Sequence, residues 1–66
     1  MTLKELTIAC LEAYQTLEDG ELEITLELAN EDGDWKDIEK VVRAEKIKEY
    51  LPISNTTQTV FKLVLR

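Results

Sequence analysis

Carboxylates are the most abundant reactive side chains here, 14 Asp and Glu in 66 residues, and the chain has no histidine. An enzyme built on them would need an acid or base held near neutrality, and histidine is the residue most often given that work. A glycine-rich phosphate loop and a Ser, His and acid set are both missing. Cys10, the single thiol, falls on the apolar stripe of a helix and reads as a small buried hydrophobe rather than a nucleophile. Asp32, Asp34 and Asp37, with Asn30 and Glu31 nearby, are the best oxygen donors for a hard cation. Calcium asks for six to eight converging oxygens, the spacing departs from the EF-hand loop, and Gly33 is explained by a turn. No enzyme activity, catalytic residue, cofactor or dedicated metal site is expected.

Charge is the next resource. Lys36, Lys40, Arg43, Lys46 and Lys48 form a local basic cluster, with Trp35 and Tyr50 available for stacking on bases. Asp37, Glu39, Glu45 and Glu49 interleave with it, and the whole chain carries −6 with a pI near 4.5, so direct nucleic-acid binding is not expected. Residues 1–35 hold ten acids against Lys4, a net of −9, whereas residues 36–66 hold seven bases against four acids, a net of +3. The bland consequence is that the two halves lie together and neutralise in part. The sharper one is an acidic face, Glu21, Glu23 and Glu27 with Glu18, Asp19, Glu31 and Asp32, able to dock on a basic partner protein with steered association.

These side chains need elements to position them. Thr2 followed by Glu5 matches a capping box that opens a helix over Thr2 to Glu18. Leu3, Leu6, Cys10, Leu11, Ala13, Tyr14 and Leu17 fall in one arc about 160° wide, and Gly20 stands where a left-handed stop is wanted. Glu21 to Ala29 alternates, with Leu22, Ile24, Leu26 and Leu28 on one side, as a half-buried strand does. Asn30 to Trp35 reads as a hairpin turn about Asp32-Gly33-Asp34, pairing Ile24 with Val42 and Leu28 with Ile38. Trp35 to Arg43 is then strand-like, and Ala44, Ile47, Tyr50 and Leu51 follow helical spacing up to Pro52. Thr57 to Leu65 is the last strand, with Thr59, Phe61, Leu63 and Leu65 on one face and Val60 and Val64 on the other.

The layout resembles short proteins of bacterial phages and mobile elements. It is carried by Thr2-Leu3-Lys4-Glu5-Leu6, Asp19-Gly20-Glu21-Leu22-Glu23-Ile24, Asp32-Gly33-Asp34-Trp35, and Ile38 with Val41. The resemblance ends before Arg43, and it implies no activity and no functional residues.

The expected fold is one α+β domain over residues 1–66: an N-terminal helix packed on a three-stranded, largely antiparallel sheet, in the order α-β-β-(short α)-β, with sequential strands adjacent. At this size folding removes only about 60% of the unfolded chain's surface, so a monomer is marginal. Val41, Val60 and Val64, with Thr25 and Trp35 nearby, are expected on the sheet face away from the helix, as a self-association face. The expected function is a non-enzymatic protein–protein interaction or self-assembling accessory module, a homodimer. The alternative is an acidic inhibitor or regulator of a basic, nucleic-acid-handling protein. No apolar run approaches the roughly 18 residues of a membrane span and no signal-peptide pattern precedes the helix, so the chain is expected to start at its own Met1 and to act in the cytoplasm.

Overall fold

A computed structural model of the chain describes residues 1–30 and 35–66. The elements are α1 (Leu3–Ala13), a 3-10 turn (Leu17–Glu21), β1 (Glu23–Leu28), a second 3-10 turn (Trp35–Asp37), β2 (Val41–Leu51) and β3 (Thr56–Leu65). One helix and a three-stranded sheet make an α+β fold. The sheet is mixed rather than largely antiparallel, in the order β1-β3-β2. β3 lies in the middle, parallel to β1 and antiparallel to β2. No described helix is long and apolar enough to cross a membrane.

The capping box is present. The Glu5 N–H donates to Thr2 Oγ1 at 3.2 Å, and the Thr2 N–H donates to the Glu5 carboxylate at 3.1 Å. That backbone bond, then the Thr2 hydroxyl, hold the Glu5 pKa below its ordinary value, because both favour the charged form. The helix stops at Ala13 instead of running to Glu18. Asp19 explains why: its Oδ2 accepts the N–H groups of Gln15 and Thr16, both at 2.9 Å, and turns the chain into the first 3-10 turn. Gly20 is not a left-handed stop, since no described glycine has positive φ. Its lack of a side chain serves a close approach, because a Cβ there would stand 3.0 Å from the Tyr14 ring.

The second half differs more from expectation. Residues 44–51 are strand, not helix. β1 does not pair with β2, so the expected partners Ile24 with Val42 and Leu28 with Ile38 do not meet; β3 separates them. The Asp32-Gly33-Asp34 turn lies outside the described residues, as does Glu31; of the other oxygen donors, Asp37 ends the second 3-10 turn and Asn30 follows β1 by two residues. The tight reversal is instead at Pro52 to Asn55, joining β2 to β3. Asn55 takes the left-handed φ of 54° that asparagine tolerates, and its Oδ1 accepts the Tyr50 hydroxyl at 2.5 Å.

The core sits at the junction of α1, β2 and β3, where Ala13, Ala44 and Phe61 are buried with Met1, Leu6, Ala9 and Leu63 packed round them. The small side chains of Ala9, Ala13 and Ala44 let the helix approach the sheet here. The N-terminal ammonium donates to the Val41 carbonyl at 2.7 Å and fastens the start of α1 to the start of β2.

Candidate interaction surface

The ladder register sorts the strand residues onto two faces. Ile24, Leu26 and Leu28 of β1 stand beside Phe61, Leu63 and Leu65 of β3 on the face that carries α1. Glu23, Thr25 and Glu27 stand beside Val60, Lys62 and Val64 on the other, together with Arg43, Glu45 and Ile47 of β2. Val60 and Val64 are therefore on the face away from the helix, as expected, with Thr25. Val41 pairs with Leu65 and so belongs to the helix face. Trp35, in the second 3-10 turn, is exposed.

Exposure is distributed against intuition. No described helix covers Val60 and Val64, yet they are only 2% and 4% exposed. Each lies in the central strand between longer neighbours, Val60 between Glu23 and Ile47 and Val64 between Glu27 and Arg43. Lys62 runs between them, with its ammonium 2.9 Å from Glu49 and 3.8 Å from Glu27. The Glu49 bond outweighs burial and raises the Lys62 pKa. Three of the four ladder neighbours of the valines are charged, and long charged side chains can lay their aliphatic stems over apolar surface; with Lys62 and Glu49 they make this face a thin ionic layer. Thr25 Oγ1 is buried in this layer with no hydrogen-bond partner among the described residues.

The helix face is the open one. Ile24 is 64% and Leu26 54% exposed, because α1 packs over β2 and β3 and leaves β1 bare. The helix meets the sheet through Leu6, Ala9 and Ala13, the edge of its apolar arc rather than the middle. Leu3, Cys10, Leu11 and Tyr14 remain exposed, as does Leu17 just beyond. Cys10 is accordingly not the buried residue the stripe implied. Between helix and β1 runs an apolar cleft of about 190 Å³, lined by Cys10, Tyr14, Leu22, Ile24 and Phe61, with Asp19 and Gly20 also at its wall.

The acidic residues are divided in their use. Asp19 Oδ1 accepts from Lys46 Nζ at 2.7 Å, and this bond, with the Gln15 and Thr16 N–H groups, holds its carboxyl far below the usual carboxylate range. Glu27 faces Lys62. Both pairs join the acidic half of the chain to the basic half. Glu21, Glu23 and Glu27 are all exposed along one border of the molecule, Glu21 at the end of the first 3-10 turn and the other two on β1. Comparison with protein-family models, with curated proteins and with solved structures finds no match.

Proposed function

We propose that this chain is a non-enzymatic interaction module that associates with itself through the β1 side of its helix face. The observation that carries this reading is the exposure of Ile24 and Leu26 next to an equally uncovered helix arc. An isolated domain of this mass is expected to show about 4,300 Å² of accessible surface from size scaling, and this one shows 5459 Å². The excess of roughly 1,200 Å² exceeds the share of about 800 Å² that each partner contributes to a standard interface. The valines of the other face need no partner to be covered.

Sedimentation equilibrium over a hundredfold dilution, at low and at half-molar salt, tests the proposal. A dimer that persists in both salts supports it, because apolar burial is not screened. A monomer throughout refutes it. The exposed Glu21 and Glu23 favour a second reading, docking on a basic partner protein, which salt would weaken steeply. With Asp19 and Glu27 already engaged by lysines, that acidic face is smaller than the sequence count implies.

A further inference from the structure

We propose that two copies of this chain join β1 to β1 as antiparallel neighbours about a two-fold axis at Leu26, making one continuous sheet of six strands. This rests on the self-association reading and adds its geometry.

The two edges of the sheet are not alike. β2 carries a bulge between Val41 and Arg43, and Arg43, Lys46 and Lys48 stand along it; bulges and cationic side chains are the usual devices that keep an edge from pairing. β1 has no bulge, no proline and no lysine in Glu23–Leu28. The Ala29 N–H donates to the Leu65 carbonyl at 2.8 Å, so the odd residues of β1 turn their backbone groups toward β3. By alternation, Ile24, Leu26 and Leu28 turn theirs outward, where no described residue meets them. The same three residues hold apolar side chains on the open face.

A two-fold normal to the sheet keeps each face on its own side, so only residues of the same parity can oppose one another. Centring on Glu23 or Glu27 sets that acid on its own copy, and centring on Leu28 leaves Ile24 and Thr25 without ladder partners, so three registers compete. Centring on Thr25 sets Glu23 against the other copy's Glu27 twice, a like-charge pairing. Centring on Ile24 carries Glu27 onto the other copy's Glu21 and leaves Leu28 unmatched. Centring on Leu26 sets Leu26 on Leu26, Ile24 on Leu28, Thr25 on Glu27 and Glu23 on Ala29. It forms three hydrogen-bonded pairs, about six ladder bonds, with no acid directly opposite an acid within residues 23–29. The two Glu27 side chains lie diagonally across the axis, each beside its own Lys62.

Single-cysteine chains in a Cys10→Ala background test the register by oxidation at a concentration where the chain is dimeric. Hydrogen-bonded antiparallel partners have Cα atoms about 5.5 Å apart, within disulfide reach, whereas Ile24 and its mate would be about 14 Å apart in this register. Leu26→Cys should therefore cross-link at least tenfold faster than Ile24→Cys or Thr25→Cys. Faster cross-linking of either of the others overturns the Leu26 axis. A sedimenting dimer in which none of the three cross-links overturns edge pairing while leaving self-association standing. A monomer at every concentration overturns both. Amide exchange on the unsubstituted chain gives an independent readout: the Ile24, Leu26 and Leu28 amides should slow as protein concentration rises, and those of Lys46 and Lys48 on the opposite edge should not.

Discussion

Val60→Ala is the substitution that most directly tests the ionic layer. It removes two methyl groups from a side chain that is 2% exposed. At about 0.8 kcal/mol per buried carbon the transfer cost is about 1.6 kcal/mol, and incomplete collapse of Glu23 and Ile47 raises it to about 2 kcal/mol. Ile24→Ala removes three carbons, but Ile24 is 64% exposed, so its cost in the monomer is about 0.9 kcal/mol. The residue on the face without a helix should thus matter twice as much as the residue on the face with one. For a domain of this length each kcal/mol lowers Tm by about 4–8 °C, so Val60→Ala should melt about 8–16 °C lower and Ile24→Ala about 4–7 °C lower. Circular-dichroism melts at concentrations where sedimentation shows monomer would measure both. A Val60→Ala melt within about 3 °C of the parent chain, or a larger loss from Ile24→Ala, would refute the reasoning.

Two further outcomes follow from individual groups. Thr25→Val deletes a buried hydroxyl that has no partner and should raise stability by about 1 kcal/mol, read as a higher urea midpoint with an unchanged slope; a fall would show that the hydroxyl is satisfied. The depressed pKa of Asp19, owed first to the Lys46 bond and then to the Gln15 and Thr16 N–H groups, makes its contribution complete above the ordinary aspartate pKa of about 3.9. That contribution is lost as pH falls from there toward the folded value, so the gap in urea midpoint between the parent chain and Asp19→Asn should hold above pH ~5 and narrow below pH ~4. A gap constant down to pH ~2 would contradict the assignment.

The N-terminal cap, the alternation of β1 and the two faces of β3 could be read directly from residue types, because each is a local pattern. β2 could not. Its two parities are Val41, Arg43, Glu45, Ile47, Glu49 and Leu51 against Val42, Ala44, Lys46, Lys48 and Tyr50, and neither is apolar throughout. An edge strand covered on one face only by Ala9 and Ala13 has no need of a clean stripe, and pairing with β3 overrode the helical preference of Ala44 to Tyr50. The strand order had a usable clue in Thr59 to Leu65, where both parities are largely apolar, as in a strand flanked on both edges and covered on both faces. The Asp-Gly signal between Leu28 and Trp35 instead favours pairing of adjacent strands. That Val60 and Val64 share one face of β3 is legible from alternation, but that charged neighbours flank them depends on strand order. The uncovered helix arc depends on Ala9, which lies outside the apolar stripe yet meets the sheet.

The central place of β3 also governs the order in which the molecule can be built. Among the described residues both β1 and β2 find their strand partner in β3, Glu23 of β1 pairing with Val60. During synthesis both outer strands emerge before the one that joins them, so neither can enter its native ladder until residues 56–65 have been made. Folding therefore waits for one late segment to slip between two waiting ones, a non-local closure of the kind that slows folding. Until that moment the apolar Leu22 to Leu28 stretch has no native strand to shelter it.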